Sequence, residues 1–474
     1  MIAKTNKSHC EKFVMALSSV LVGVFALTSI SSLAIDVKPV GEEVSLVSAT
    51  KVEMLPRMDL DGFYERALEK SARSRESAGQ LKVSEARQQL AGALRLPTLS
   101  AEVISGPSPT ITGDALNSST SYDSWGIAFQ SKVELIQPIY TFGAIGSLRE
   151  AARAAHEAEA GRHAREKWQL RQDIAKLYFC YQLAFELREL TRELQDQLEK
   201  AQSEGKKLRR RKAKGAPSLT DLERLKVYIA ELTSRFDEAQ KFMDLAKLGM
   251  ALEVESTSDA LRWRRANLKR LETEFKDLDY YVEISKSKRP EYKALQKEIE
   301  AKELFVDAMK AGQLPQIFAG ARWTTAYSNV SDKQTSVYAN DSFNQDSFVG
   351  GVGLRWNLFS PTHNAKIAAA KAELIKTRAK NGALLTALSS ETQKDWLELR
   401  FLRNSLEQRL IAEQSSKRVF LDMFAGFTIG TQRAKDLLEA MALWAQMKKA
   451  RLETLHQERL AWVRLEGSTG QLAE

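Results

Sequence analysis

The hydrophobic positions of the chain keep two different rhythms in different places. Leu170, Ile174, Leu177, Tyr181, Ala184, Leu187, Leu190, Leu194 and Leu198 follow one another over 28 residues in eight steps, a mean of 3.5. That period supercoils helices around their neighbours, and an ordinary amphipathic helix rarely holds it for so many turns. Elsewhere the period drops to two. Trp125, Ile127, Phe129, Val133 and Leu135 alternate with Gly126, Ala128, Gln130, Lys132 and Glu134. Phe348, Val352, Leu354, Trp356 and Leu358 alternate with Val349, Gly351, Gly353, Arg355 and Asn357. Each run predicts a strand with one apolar and one largely polar face. Their partners are expected at Thr98 to Ser105 and Ile317 to Ser328, through loops at about 106–123 and 329–346 rich in turn residues. Aromatic residues at the strand ends, Trp125, Tyr140, Trp323, Tyr327, Trp356 and Phe359, suit a membrane–water interface. A soluble antiparallel sheet shows the same alternation, so the strands alone leave both readings open.

Proline marks where helices stop, because it interrupts a helix interior at a cost of roughly 3 kcal/mol. No proline occurs between Pro138 and Pro217 or after Pro361. Those gaps predict helices over about 146–203 and 364–424, each near 60 residues and thus roughly 90 Å long. The chain also repeats itself. Leu96-Pro97-Thr98-Leu99 returns 218 positions later as Leu314-Pro315-Gln316-Ile317, and the turn at Gly215 returns 215 positions later at Gly430. Pro138 to Phe142 has a weaker echo in Asn357 to Pro361. Two repeats are expected, 59–288 and 289–467, between a linker at 35–58 and a tail at 468–474, each reading helix, strand pair, very long helix, turn, long helix. Strands of about 9 to 11 residues cross a bilayer only as a closed barrel. Four strands cannot close, whereas three copies would supply twelve and would pool their long helices into a hollow cylinder.

The N-terminus carries Lys4, Lys7 and Lys12 ahead of an uncharged run from Phe13 to Leu27, followed by Ser32-Leu33-Ala34. This reads as a secretory signal peptide over 1–34, with an uncleaved anchor as its rival because no charge follows until Asp36. Cys10 precedes the apolar run and is not placed for lipid attachment, and Cys180, between Phe179 and Tyr181, reads as a small packed hydrophobe. With 2 Cys and 5 His in 474 residues, a disulfide scaffold, a zinc ribbon and iron–sulfur ligation are excluded. His156 and His163 are too far apart for a helical zinc protease motif, and His363 and His456 have no evident ligand constellation. Gly350-Gly351-Val352-Gly353 falls inside a strand, and no phosphate-binding loop is present. The reading is therefore not an enzyme, with no cofactor and no metal.

These features together resemble the TolC-like outer membrane efflux proteins of Gram-negative bacteria, from about Leu60 to Gly467. The resemblance rests on the duplicated layout, on Gln137-Pro138-Ile139-Tyr140-Thr141-Phe142-Gly143, on Arg289-Pro290-Glu291, and on Gly430 followed by Asp436-Leu437-Leu438-Glu439-Ala440. It implies a mainly α fold with a membrane β part: a homotrimer whose 12-helix α-barrel continues into a 12-stranded β-barrel. It further implies an exit duct in the outer membrane lipid, extending into the periplasm and coupled by a periplasmic adaptor to an inner-membrane pump. Such a duct serves efflux or type I secretion, is passive, and is gated at its periplasmic end by helix rearrangement. The other reading is a periplasmic coiled-coil adaptor or structural protein with a soluble β domain.

The resemblance also implies site residues at the periplasmic tip. Gly215 and Gly430 mark the adaptor-docking turns. Asp436 and Glu439 match the pore constriction, and their spacing of three sets both carboxylates on one helix face, where a threefold ring would favour cations. A solvated acidic pair on a helix surface is the alternative. Thr220 and Asp221 match one side of a gate latch and Phe427, Thr431 and Gln432 the other. Here the chain departs from the family, which usually has tyrosine where Phe427 stands and arginine where Gln432 stands. Arg433 is the adjacent candidate, turned by about 100° around the helix. Finally, Lys206, Lys207, Arg209, Arg210, Arg211, Lys212 and Lys214 put seven cations into nine residues. They read as a solvated helix end or a docking patch for an acidic partner; export and the lack of interleaved aromatics argue against nucleic acid.

Overall fold

A computed structural model describes residues 56–113, 117–263, 267–334 and 341–471 of the chain. The expected signal segment, nearly all of the linker and the last three residues of the tail lie outside the described residues. A two-residue strand, β1 (Arg57–Met58), leads into helices α1 (Leu60–Lys70) and α2 (Ala72–Ala93). Strands β2 (Thr98–Gly113) and β3 (Ser118–Tyr140) follow, then α3 (Ala144–Arg210), α4 (Leu219–Glu253) and the short β4 (Arg262–Trp263). The second set runs α5 (Leu278–Lys288), α6 (Pro290–Ala311), β5 (Gln316–Ser328), β6 (Gln345–Arg355), α7 (Pro361–Thr428) and α8 (Ala434–Thr469). Helix lengths repeat almost residue for residue: 11, 22, 67 and 35 in the first set, and 11, 22, 68 and 36 in the second. The second set opens at Leu278, ahead of the boundary at 288/289 read from the sequence, because an 11-residue helix precedes Pro290 just as α1 precedes α2.

Both long helices exceed the expected spans, with ends set by local chemistry. Helix α3 starts behind Gly143, whose φ of 91° turns the chain out of β3, and α7 starts with Pro361 in its first turn and Ser360 capping His363 N. The 3.5-residue run of α3 faces inward: every member is buried except Leu187, which is half-buried. Helix α3 packs along α2, α4, α6 and α8, and α7 packs along α8, α6 and α5. At the level of α4 and α8 the helices therefore lie in the order α4, α3, α8, α7; nearer the sheet the order is α2, α3, α6, α7.

The four main strands form one antiparallel sheet in the order β2, β3, β5, β6. Strand β2 continues eight residues beyond the expected Ser105, through Gly106-Pro107-Ser108-Pro109, so much of the predicted 106–123 loop is strand. Pro107 and Pro109 are two apart on an edge strand, so both nitrogens point away from β3 and no ladder bond is lost. The second loop matches its expectation, since β5 ends at Ser328 and β6 begins at Gln345.

The core is a series of small clusters strung along the helices. At the end of the long helices farthest from the sheet, Leu194, Leu198, Leu225, Phe420, Phe427, Leu437 and Trp444 pack together, with the rings of Phe420 and Trp444 stacked at 5.1 Å. Midway, Tyr181 stacks on Trp263 at 4.3 Å, and in the second set Phe275 stacks on Trp396 at 5.4 Å. His456 on α8 is buried, and burial pushes its imidazole down to about 4. The unfolded chain takes up a proton near pH 6.5 that the folded chain refuses until about 4, so stability is lost as pH falls through that window. Buried Glu458 and half-buried Glu466, shifted upward by desolvation, act in the opposite sense. His456→Leu is expected to reduce the stability difference between pH 7 and pH 4 by about 2 to 3 kcal/mol. Denaturation midpoints at the two pH values measure it, and an unaltered difference would show that His456 does not set the acid response.

Candidate functional site

The two turns that end α3 and α7 come together at one end of the chain. Helix α3 closes with Ala213 N donating to Leu208 O at 3.0 Å, around Lys212 held at a φ of 52°. That left-handed corner is usually glycine, and a side chain there costs about 1 kcal/mol. Pro217 and Ser218 then begin α4: the Ser218 hydroxyl accepts from Asp221 N at 3.0 Å, while the Asp221 carboxylate accepts from Ser218 N at 3.1 Å. Helix α7 closes on Gly430 at a φ of 82°, with Thr431 N donating to Gly426 O at 2.9 Å.

Gly215, at a φ of 89°, lies directly against the second turn: a Cβ placed on it would sit 1.9 Å from Gly430 O. Beneath this contact Gly205 leaves room for Pro217 and Leu222, whose atoms would stand 3.0 and 3.1 Å from an added Cβ. The structure thus brings the two turn glycines together, backbone against backbone.

The other expected residues distribute around this contact. Phe427 is 1% exposed, packed in the cluster below the turns rather than presented at a surface. Asp221 is occupied by Ser218 and by Arg224, 3.8 Å away, both on its own hairpin, and Thr220 is exposed. Thr431 donates to Gly426 O, and the Gln432 side chain lies over Gly426. Among the described residues no bond joins Asp221 to Gln432 or Arg433; a polar link between the two hairpins lies farther along the helices, where Lys448 on α8 donates to Glu193 on α3 at 2.8 Å. Asp436 and Glu439 sit in the first turns of α8, Asp436 half-buried and Glu439 exposed. Lys435, which sequence reasoning passed over, pairs with Glu439 at 3.7 Å; their spacing of four is the sequence signal for it. All seven cations from Lys206 to Lys214 are exposed; Lys207 pairs with Glu204 at 2.7 Å and Lys206 donates to Gln202 at 3.1 Å.

At the opposite end the sheet has two unlike faces. The register puts Leu99, Val103, Ile127, Phe129, Leu135, Trp323, Tyr327, Phe348, Val352 and Leu354 on one side, all exposed, Phe348 and Val352 by 73% and 72%. The other side carries Glu102, Gln130, Lys132, Glu134, Arg322 and Thr324, with Arg322 paired to Glu134 at 2.6 Å across β3 and β5. An apolar sheet face of this extent, left open, marks an interface with lipid or protein. Among the described residues no helix is long and apolar enough to cross a membrane.

Residues 63–229 match the family model for outer membrane efflux proteins. The fold agrees along nearly the whole chain. The outer membrane protein VceC of Vibrio cholerae superposes with a TM-score of 0.71 at 17% identity, covering 87% of this chain and 96% of its own. The CmeC outer membrane channel of Campylobacter jejuni gives 0.71 at 14%, covering 93% and 94%, and the MtrE outer membrane channel of Neisseria gonorrhoeae, in its open state, gives 0.68 at 16%, covering 94% and 97%. Over residues 63–229 the chain is similar to the outer membrane efflux proteins, and its fold is that of outer membrane channels. No curated protein sequence matches it.

Within this efflux-family fold the histidines that invited a catalytic reading have structural partners. The Ser77 and Ser84 hydroxyls meet His163 Nδ1 and His156 Nδ1 at 2.7 and 2.8 Å where α2 packs on α3, and His363 Nε2 meets Met309 O at 2.7 Å. Cys180 is half-buried between Phe179 and Tyr181 on α3.

Proposed function

We propose that three copies of this chain close into one passive duct through the outer membrane, with a 12-stranded β-barrel continuous with a 12-helix α-barrel. One observation carries this reading: the chain is open along matching edges at every level. Among the described residues the sheet ends in β2 and β6; the loop after β5 bonds the far end of β2 at Ile111 and Gly113, and the rest of both edge strands presents backbone groups outward. The helical layers end in α4 and α7 at one level and α2 and α7 at the other. Their outer sides expose Leu90, Val227, Leu248, Leu252, Ile375, Leu397, Phe401 and Ile411. The duplication sharpens the point, since α6 is held between α3 and α7 whereas its counterpart α2 packs chiefly on α3. A neighbouring copy's α7 supplies the missing side, and β6 of one copy pairs with β2 of the next.

Dimensions support the same reading. Helices of 67 and 68 residues reach about 100 Å, a periplasmic rather than a domain length. From the paired Phe129 and Tyr327 to Tyr140 is 11 residues of β3, about 36 Å along a strand and about 28 Å across a bilayer at the usual barrel tilt. The exposed aromatics then form two girdles with the apolar face in lipid and the Glu134–Arg322 pair in the lumen.

The duct serves efflux or type I secretion, after removal of the signal segment, with a periplasmic adaptor and an inner-membrane pump supplying energy. The glycine turns close its periplasmic end, and helix rearrangement around them opens it. Purified full-length protein in planar bilayers tests this: discrete conductance from a species of three chains is expected, and a soluble, non-conducting particle would refute it in favour of the adaptor reading.

The constriction is the part of this proposal most open to mutation. Lys435 partly neutralises Glu439, whereas Asp436 has no cation within pairing distance among the described residues. Asp436→Asn is therefore expected to lower cation over anion selectivity several-fold, and Glu439→Gln to change it by less than about half as much. Reversal potentials in a salt gradient measure both, and equal effects would remove Lys435 from the account.

A further inference from the structure

The two tip turns correspond in the sequence repeat and differ sharply in charge. Each ends a helix of nearly equal length, each turns on a glycine with positive φ, and the two touch. Yet the nine residues from Lys206 to Lys214 hold seven cations and no acid, while the nine equivalent residues from Leu421 to Ile429 hold no cation and one acid, Asp422. Among the described residues, Arg209, Arg210, Arg211, Lys212 and Lys214 have no carboxylate within ion-pair distance, although Glu204 shows that a local partner is easily provided.

The cost of this arrangement argues against a passive solvated end. Seven like charges within two helical turns and a short loop lie mostly within one Debye length of about 10 Å and repel one another. One of them, Lys212, also holds a left-handed corner that glycine would fill without strain. The second turn closes its helix on Gly430 without any of these charges, so ending a helix at this tip does not demand them. What the charges provide is a field, and a field of one sign attracts and orients a surface of the other.

We infer that the first-repeat turn is the docking point for an acidic protein surface, and that the second-repeat turn is not. This rests on the duct reading, which puts both turns at the periplasmic entrance. The closed duct then offers three strong contacts alternating with three weak ones, and its partner binds with threefold rather than sixfold equivalence. The matching surface carries several Asp or Glu residues and is steered in by charge.

The test uses the full-length protein in cell envelopes, with a photoreactive phenylalanine derivative replacing Ala213 in one variant and Ile429 in another. Ala213 is expected to crosslink to a protein whose crosslinked segment is net acidic, with at least ten times the yield from Ile429. Combining Arg209→Gln, Arg210→Gln, Arg211→Gln, Lys212→Gln and Lys214→Gln should cut the Ala213 yield at least tenfold, as should washing in 0.5 M salt. Equal yields from the two turns, full yield after the charges are removed, or adducts made only of lipid, glycan or nucleic acid would each overturn the inference. Bilayer conductance of the same five-glutamine variant separates the two claims. An unaltered pore with a lost crosslink supports both, whereas a crosslink obtained from protein that never conducts leaves the docking inference standing and removes the duct.

Discussion

Gly215→Ala is expected to hold the entrance partly open, raising the resting conductance of the duct several-fold. Two effects combine there. Alanine at a φ of 89° costs about 1 kcal/mol of backbone strain, which alone would only loosen the turn. The larger effect is displacement, because the new methyl would lie 1.9 Å from Gly430 O and the two turns must separate by more than an ångström to accept it. Two further glycines separate strain from displacement. Gly143 has a φ of 91° with open space around it, so Gly143→Ala brings strain without movement of the tip. Gly430→Ala, whose methyl would meet Lys214 O at 3.1 Å, falls between. Conductance should therefore rise most for Gly215→Ala, less for Gly430→Ala and not at all for Gly143→Ala. Identical behaviour of all three would mean that the contact between the turns does not gate the duct.

Gly467→Ala is the substitution expected to cost most stability. The position lies in the last turn of α8, where alanine is favoured over glycine by up to about 1 kcal/mol. Here the added methyl would stand 1.6 Å from Trp168 Nε1 and 1.7 Å from Trp168 Cε2, inside the indole that α3 lays across α8. Neither helix can yield without disturbing the neighbouring packing, so a loss of about 3 kcal/mol or more is expected. Gly382→Ala in α7, with nothing within 4 Å, supplies the opposite case and should be neutral or stabilising. Adding Trp168→Ala to Gly467→Ala should recover part of the loss, a coupling that thermal unfolding of the four proteins in a double-mutant cycle would reveal. Additive losses would show that the indole is not what the methyl meets.

The elements of this chain were legible where the physics is local. The 3.5-residue run from Leu170 to Leu198 became the buried stripe of α3, and the proline-free gaps became the two longest helices. Strand alternation was legible for the same reason, since successive side chains must point to opposite faces. Strand β2 was underestimated because Gly-Pro-Ser-Pro has turn composition, and only its position at a sheet edge lets two prolines stand in a ladder. At the tip, Ser218 and Asp221 carry the spacing of a capping box, and the structure uses Asp221 that way. Phe427 was expected on a latch and instead fills the cluster around Trp444, because its ring finds apolar neighbours from three other helices. The family resemblance grouped its candidate residues at one end of the molecule, where Gly215 and Gly430 do meet, whereas the partners of individual side chains there had to be seen.

The order of residues was enough to determine period, length and duplication, because each follows from covalent spacing along one segment. Which edges stay open, which glycine meets which carbonyl and which indole fills the space beside Gly467 are properties of approach between segments. Trp168 and Gly467 belong to opposite halves of the chain, as do Gly215 and Gly430, and no rhythm within either segment encodes their distance. Only the packed helices decide it, since a backbone contact of that kind exists or fails by an ångström.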